Sequence, residues 1–204
     1  MSLAENLLAG GAREILGRGL TEIELAAFSK YLELIVKWQR VQRLVGSTDP
    51  PWIAESLFLD SLLFLRVLPL GIRSMADLGS GAGLPGLPIK IVRPEIDVTL
   101  IESRERRGSF LSAVVRELAL EGVSVLNARA EDLESSSEAR FEAVVMRCAG
   151  HPGRLLPLAS RLVRSGGIVV AAGPPESHDL PVGRWVEVPG LRAGTTRRFA
   201  VVEP

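Results

Sequence analysis

Hydrophobic and polar positions follow two different rhythms along the chain, and the change comes near residue 70. Before that point, apolar residues recur at the three-and-four spacing of an amphipathic helix, which predicts one helix over residues 21–45 and a second over about 52–67. Thr21 and Glu24 have the spacing of a capping box and indicate where the first helix begins. Glycines interrupt residues 1–20, for which a loosely ordered lead-in is expected. The stripe of the first helix consists of Phe28, Tyr31, Leu32, Ile35, Trp38, Val41 and Val45.

From residue 74 onward, short apolar runs alternate with helical stretches. Runs of this kind, bounded by glycine and proline and separated by helices, are typical of a mostly parallel sheet with helices on both faces. The last two runs have the pattern of an antiparallel hairpin. The pattern therefore predicts an α/β fold. The predicted strands are 74–78, 98–101, 123–126, 141–146, 168–171, 185–188 and 197–202, and the predicted helices between them are 84–92, 104–120 and 153–163.

Length and composition favour one main domain with a small addition. A chain of 204 residues with 47% hydrophobic content can form one sizeable core, so we expect an N-terminal helical cap (1–70) packed on a main domain (71–204). No apolar run is long enough for a membrane span and no signal sequence is visible, so a soluble, cytoplasmic protein is expected. The single cysteine excludes an internal disulfide, and neither histidine has a partner at metal-ligand spacing, so no metal is predicted.

A glycine-rich loop follows the first predicted strand, where ligands bind in open α/β sheets. Its glycines allow a ligand to approach the backbone. Glu102 follows the second strand, where an acid can accept hydrogen bonds from both hydroxyls of a ribose. Ala130 and Glu131 lie just beyond the third strand and are candidates for contact with an adenine. The predicted cofactor-binding residues are Asp77, Gly79, Ser80, Gly81, Gly83, Leu84, Glu102, Ala130, Glu131 and Arg147.

The glycines alone do not identify the cofactor. Gly81, Gly83 and Gly86 also match the dinucleotide fingerprint, so a nicotinamide-dependent oxidoreductase is one alternative, and a glycine-rich turn without a ligand is another. Three observations favour S-adenosylmethionine. Asp77 precedes the first glycine by two positions, a long helical segment precedes the fold, and no Tyr-x-x-x-Lys pair or catalytic histidine stands where hydride transfer would need it.

Positive charge is carried almost entirely by arginine. Net charge is zero, yet from residue 143 onward eight arginines face only Glu176, Asp179, Glu187 and Glu203. The planar guanidinium fork suits phosphates and base edges. Arginines at the start of the predicted helix 104–120 oppose the helix dipole, for which a phosphate contact is one reason and a solvated basic face is the alternative. The candidate RNA contacts are Arg106, Arg107, Arg129, Arg197 and Arg198, with Arg104 beside them.

The glycine loop and its surroundings resemble those of the GidB/RsmG family. Residues 76–89 carry the resemblance, and Pro85-Gly86 is more specific than the glycines. It continues through 98–103, 106–111, 129–131 and 146–149, with Trp38 and 59–62 in the cap. The resemblance implies a Rossmann-like S-adenosylmethionine-dependent methyltransferase fold and methylation of guanine N7 in small-subunit ribosomal RNA. The implied partners are that RNA or the assembling small subunit, and a monomer is the simplest expectation.

Several residues depart from the family pattern at positions expected to face RNA. Leu57 stands where the family has histidine and Ala172 where it has lysine. The stretch 38–45, which includes Arg40 and Arg43, stands where the family has Trp-Asn followed by Asn-Leu-Thr. A methyltransferase acting on another RNA or on a small molecule therefore stays open. So does a cofactor-binding ribosome-assembly factor without transferase activity.

The reaction implied by the resemblance needs little acid–base chemistry. Guanine N7 carries an exposed lone pair, so methylation there requires no general base, and placement of the reactants supplies the rate. Arg147, after the fourth strand, is expected to position substrate or cofactor, and a structural ion pair is the alternative. Cys148 could be a nucleophile as in cytosine methyltransferases, but a small buried side chain is the favoured interpretation.

Overall fold

The computed structural model describes residues 1–135, 141–147, 152–174 and 179–204, and its centre is a seven-stranded sheet. The strand order is β3-β2-β1-β4-β5-β7-β6, in which the first five strands are parallel and β7 and β6 are antiparallel. The predicted α/β fold, a mostly parallel sheet ending in an antiparallel hairpin, is therefore confirmed. The strands are β1 Ser74–Leu78, β2 Asp97–Ile101, β3 Val123–Leu126, β4 Phe141–Met146, β5 Val163–Ala172, β6 Arg184–Pro189 and β7 Thr196–Val202.

Helices cover the sheet, and those at 50–66, 86–92, 105–117 and 152–162 have boundaries within about three residues of the predicted ones. Residues 50–66 form a continuous helical segment that changes from α to π, back to α, and ends as a 3₁₀ turn. This segment is called the third cap helix. None of the helices in the described ranges is both long and apolar enough to cross a bilayer. The helices are α1 Leu3–Leu16, α2 Glu22–Gln39, α3 Pro50–Trp52, the π segment Ile53–Leu59, α4 Asp60–Leu62, the 3₁₀ turn Leu63–Arg66, α5 Gly86–Val92, α6 Glu105–Glu117, the 3₁₀ segment Ala130–Ser135 and α7 Pro152–Leu162.

The expectation of a loosely ordered lead-in is wrong, because residues 3–16 form a regular capped helix. Ser2 and Glu5 make a capping box at its start, and Gly17, with φ +69°, ends it in the left-handed conformation. Gly11 faces Leu59, and a Cβ at this position would lie 2.4 Å from Leu59 Cδ1. The glycines that suggested disorder therefore serve a close helix contact and a helix end.

The predicted helix over 21–45 ends earlier, at Gln39. The side chain of Gln39 replaces the helical hydrogen bonds: its Oε1 accepts from the backbone N–H groups of Leu44 (2.7 Å) and Val45 (3.0 Å), and its Nε2 donates to the carbonyl of Val45. This turn buries Val45 but leaves Val41 73% exposed. Val41 is therefore not part of the apolar stripe.

The cap packs on one face of the sheet and its first two crossover helices. Trp38 lies edge-on to Phe110 of α6, with ring centroids 5.6 Å apart, and Phe64 lies edge-on to Phe199 of β7 at 4.7 Å. Tyr31 stacks on Phe58 at 5.0 Å and also reaches the loop after β1. A second core, on the opposite face, contains the apolar residues of α7. The cap thereby borders the carboxyl ends of the strands, where the candidate site lies.

Candidate cofactor and substrate site

The loop after β1 is a tight, internally bonded turn built on glycine. Gly79, Gly81 and Gly83 have φ angles of +71°, +58° and +86°, a region that L side chains avoid. The N–H groups of Gly79 and Ser80 both donate to the carbonyl of Ile101, at 2.9 and 3.0 Å, which ties the loop to β2. Ser80 also accepts, through its carbonyl, from the N–H groups of Gly83 and Leu84. The loop is therefore shaped before any ligand binds.

Asp77, the penultimate residue of β1, is fully buried beneath this loop. Its Oδ2 accepts from the N–H of Gly86 at 2.9 Å, and a Cβ on Gly86 would lie 2.8 Å from that oxygen, so only glycine fits there. Within the described residues its Oδ1 has no hydrogen-bond partner. Burial raises the pKa of Asp77 to about 7, and the hydrogen bonds from Gly86 and Ser80 only partly offset that rise. Asp77 can therefore accept a hydrogen bond from a cationic or N–H-bearing ligand.

Glu102, directly after β2, joins the glycine loop to α6. Its Oε2 accepts from the N–H of Gly81 and its Oε1 from the N–H of Arg104, both at 2.9 Å, and Arg107 Nη1 lies 3.9 Å from Oε2. Each carboxylate oxygen has a second lone pair, so Glu102 retains acceptor capacity toward the two hydroxyls of a ribose. Glu102 was predicted as a cofactor contact, and its contacts show that it also holds the loop.

A cavity of about 470 Å³ opens at the carboxyl ends of β1, β2 and β3. Its volume lies within the range of small-molecule sites. Leu78, Ile101 and Leu155 supply apolar walls, and Arg129 and Glu131 lie at its rim with Ala130 between them in the chain. Apolar walls with a carboxylate nearby suit an adenosine group. The structure thus brings together the glycine loop and both segments predicted to contact the cofactor.

Arg147 points from the end of β4 toward the cap. Its Nη2 donates to the carbonyl of Ser56 at 2.6 Å and its Nη1 to that of Leu57 at 3.3 Å, while its Nε lies 3.3 Å from Asp60 Oδ2. Arg197 reaches the same carboxylate from β7, with Nε 2.9 Å from Oδ1. The ion pair considered as the alternative for Arg147 is present. Asp60 joins the two predicted arginines, and it was not itself predicted as a site residue.

The remaining predicted RNA contacts lie apart from this pair. Arg106 and Arg129 are exposed, and Arg107 is about one quarter exposed. Arg198 lies on the opposite face of β7 from Arg197, since neighbours in a strand alternate, and its Nε donates to Glu187 at 2.9 Å. Cys148, His151 and His178 lie outside the described residues.

The cap adds two arginines that sequence reasoning did not assign to the site. Gln42 donates from Nε2 to the carbonyl of Arg106 at 3.0 Å, which docks the loop after α2 beside the start of α6. Arg40 and Arg43 flank Gln42 and are exposed. The sequence shows these two arginines as a departure from the family pattern, but only the tertiary structure shows that their loop lies close to Arg106.

Comparison with known proteins identifies both a family and a fold. The GidB family, described as rRNA small subunit methyltransferase G, matches residues 24–178. A protein of Sorangium cellulosum named ribosomal RNA small subunit methyltransferase G is 38% identical over 176 residues, covering 84% of this chain and 73% of that protein. One of the same name from Nitrosospira multiformis is 40% identical over 177 residues, covering 86% and 76%.

Solved structures agree with this chain in fold. MtNAS, determined as a mutant in complex with S-adenosylmethionine, superposes with a TM-score of 0.56 at 17% identity, covering 98% of this chain and 88% of that chain. The putative methyltransferase yhhF from Escherichia coli superposes with a TM-score of 0.53 at 17% identity, covering 71% and 86%. At these identities the likeness extends to the fold alone.

Proposed function

We propose a function from one premise: this chain belongs to the GidB family, the small-subunit ribosomal RNA methyltransferases G. It is a methyltransferase whose cofactor is S-adenosylmethionine and whose substrate is ribosomal RNA. The finer proposal is that it methylates N7 of one guanine in small-subunit ribosomal RNA, or in the assembling subunit, and acts as a monomer. Such a substrate would place the protein in the cytoplasm.

One observation carries the cofactor part of the proposal: the preshaped glycine loop borders a cavity of about 470 Å³ and covers a buried carboxyl oxygen to which no described residue donates a hydrogen bond. Asp77 would hold the methionine part, Glu102 the ribose, and the rim at Arg129–Glu131 the adenine. When bound, S-adenosylmethionine supplies a methyl group on a positively charged sulfur. Both acids favour a ligand that carries positive charge.

The reaction requires the protein to position the reactants and does not require it to transfer a proton. The lone pair of guanine N7 forms a bond to the methyl carbon while the carbon–sulfur bond breaks and its electron pair stays on sulfur. Positive charge passes to the guanine, and no proton leaves. The protein residues therefore orient the base in line with the methyl group and exclude water, and effective molarity supplies much of the rate.

Exposed arginines around the cofactor cavity support an RNA substrate. Arg104 and Arg129 line that cavity, Arg106 lies beside Arg104, and the Gln42 contact adds Arg40 and Arg43 from the cap. Guanidinium groups bind phosphate through paired N–H donors, so this surface suits a phosphate backbone. Arg198 is a weaker candidate, because it already pairs with Glu187.

The departure at Leu57 does not remove an exposed RNA contact. Leu57 is 5% exposed and contributes its backbone carbonyl to Arg147. Its side chain belongs to the main hydrophobic core. The proposal therefore keeps ribosomal RNA ahead of a small-molecule substrate.

Calorimetric titration with S-adenosylmethionine, with NAD as the comparison ligand, tests the cofactor site. We expect binding of S-adenosylmethionine only, and at least tenfold weaker binding by Glu102→Ala, equivalent to about 1.4 kcal/mol, because ribose and loop contacts are both lost. Glu102→Gln should fall between, since its amide has one acceptor oxygen. Glu105→Ala, an exposed glutamate three residues on, is the control. A preference for NAD would refute the assignment.

Methyl transfer to RNA is the second test of the proposed function. Small-subunit ribosomal RNA and small subunits are incubated with the protein and methyl-labelled S-adenosylmethionine, and the labelled nucleoside is identified. The expected product is 7-methylguanosine at one position. Cofactor binding without RNA methylation would instead support the cofactor-binding assembly factor.

A further inference from the structure

A second cavity, of about 370 Å³, lies between the third cap helix and the β6–β7 hairpin. Its wall combines two carboxylates, those of Asp60 and Glu55, with three guanidinium groups, those of Arg147, Arg192 and Arg197. Arg192 pairs with Glu55 at the exposed rim, with Nε 3.0 Å from Oε1. The cofactor cavity accounts for none of these groups. Their function is therefore not explained by cofactor binding.

Asp60 is held in place by two arginines from different strands. Arg197 Nε lies 2.9 Å from its Oδ1, and Arg147 Nε and Arg197 Nη2 each lie 3.3 Å from its Oδ2. Most of these contacts are longer than the 2.7–2.9 Å of well-formed charge-assisted hydrogen bonds. Among the residues that the structure describes, Arg197 Nε has no aligned hydrogen-bond acceptor despite its proximity to Asp60. The carboxylate is thus oriented by its neighbours while it keeps lone pairs for a ligand, and its side chain is 16% exposed.

The π segment of the cap helix contributes to this arrangement. Asp60 follows the π segment Ile53–Leu59, and its N–H reaches the carbonyl of Glu55, five residues earlier. In the same segment the carbonyls of Ser56 and Leu57 accept from Arg147. π-helical turns inside α-helices are frequent at functional sites, because they re-aim backbone and side chains locally.

Arg147 connects this cavity with the region of the cofactor loop. Asp77 pairs with Val145 in the β1–β4 register, so Arg147 follows β4 at the level at which Gly79 follows β1. The Arg147 charge also lowers the pKa of Asp77, against the larger effect of burial, which agrees with this short separation. Arg147 is therefore a wall residue of the second cavity that lies level with the methyl donor's loop.

We propose that this cavity receives the target guanine and that Asp60 accepts hydrogen bonds from its N1–H and N2–H groups. The inference rests on the proposed function. Two adjacent donors on the Watson–Crick edge distinguish guanine from the other RNA bases, and a carboxylate offers two parallel acceptors for them. Enzymes that modify a base commonly read this edge after extruding the nucleotide. N7 lies on the opposite edge and stays free to face the cofactor loop.

Inosine tests the proposal directly, because it keeps N7, O6 and N1–H but lacks the 2-amino group. The substrate is a ribosomal RNA fragment with guanosine or inosine at the position that the wild-type protein methylates. For the wild-type protein we expect kcat/KM to fall at least tenfold with inosine, as one lost contact at a well-formed base site would produce. Equal rates on both RNAs would overturn the proposal.

The variants locate that discrimination. Asp60→Asn is expected to reduce kcat/KM on guanosine RNA and to bring the guanosine-to-inosine ratio to within about threefold, because its amide cannot accept from both donors. Glu55→Gln, at the rim of the same cavity, should keep the wild-type ratio. An Asp60→Asn protein that keeps the wild-type guanosine-to-inosine ratio would refute the assignment of Asp60. So would evidence that the cavity binds only a phosphate of the RNA and not the base.

Two outcomes separate this inference from the function on which it rests. A wild-type protein that binds S-adenosylmethionine but methylates no guanine N7 overturns the proposed function, and this inference with it. Normal methylation with no preference for guanosine overturns the inference alone. Titration of Asp60→Asn with S-adenosylmethionine reports whether the variant is folded, and the wild-type comparison decides the question if it is not.

Discussion

Asp77 should give this protein an unusual dependence of stability on pH near neutrality. In the folded chain its carboxyl is fully buried, and its pKa is about 7 against an ordinary 3.8. Between these two values the folded state keeps a proton that the unfolded state has lost. The free energy of unfolding therefore decreases as pH rises, by up to about 1.4 kcal/mol per pH unit.

The size of the effect follows from the two pKa values. Ionisation of Asp77 is expected to remove about 2 kcal/mol of stability between pH 5 and pH 7, and about 4 kcal/mol in total once the folded state is also deprotonated. Glu24 and Glu142 have lowered pKa values, through Arg18 and through backbone N–H groups of Arg73 and Ser74 respectively. Their stabilising contributions are present above the ordinary value and are lost only at lower pH, so the window from pH 5 to 7 isolates Asp77.

The measurement is urea-induced unfolding of the cofactor-free protein at several pH values from 5 to 7, followed by tryptophan fluorescence. Asp77→Asn removes the titrating group, so its stability should change with pH by about 2 kcal/mol less than that of the wild-type protein. Other titrating groups cancel in this difference. Asp97→Asn, at an exposed position on β2, is the matched control and should follow the wild type. Identical slopes for wild type and Asp77→Asn would refute the burial argument.

Two further variants test how the glycine loop is packed. Gly83→Ala places a Cβ 2.3 Å from Leu87 Cδ1 at a residue with φ +86°. Gly17→Ala is the control, because it carries the φ strain of about 1–2 kcal/mol but has no atom within 4 Å of the new Cβ. Gly83→Ala should therefore destabilise the protein by more than Gly17→Ala does, and equal losses in urea unfolding would contradict the overlap. Tyr31→Phe removes the buried hydroxyl that donates to the carbonyl of Ala82, and thermal unfolding should show a loss of about 1–3 kcal/mol, whereas an unchanged midpoint would show that this bond contributes nothing.

Local sequence was sufficient for most of the sheet and for the cofactor loop. Strands β1, β3 and β4 have the predicted boundaries, because short apolar runs between glycines and prolines have few other ways to bury their side chains. The loop 77–83 was identifiable because left-handed φ angles require glycine at particular positions of the chain itself. Glu102 was identifiable for a similar reason, because it directly follows the apolar run that forms β2.

The misjudged elements are those whose reason lies in distant contacts. The helix at residues 3–16 begins with a local capping box of Ser2 and Glu5, but the close contact of Gly11 with Leu59 is not encoded within residues 1–20. The early end of α2 depends on one side chain, Gln39, that satisfies the backbone of the following turn. Helical spacing continued past this point by coincidence, and Val41 is exposed.

The second cavity required the tertiary structure altogether. By itself the sequence determined the fold class, the family and the cofactor loop, because each of these is encoded in residues close together in the chain. Asp60, Arg147 and Arg197 come from the cap, β4 and β7, and folding alone joins them. A carboxylate shared by two guanidinium groups is a property of three-dimensional distance, since Coulombic and hydrogen-bond energies depend on separation in space rather than on separation along the chain.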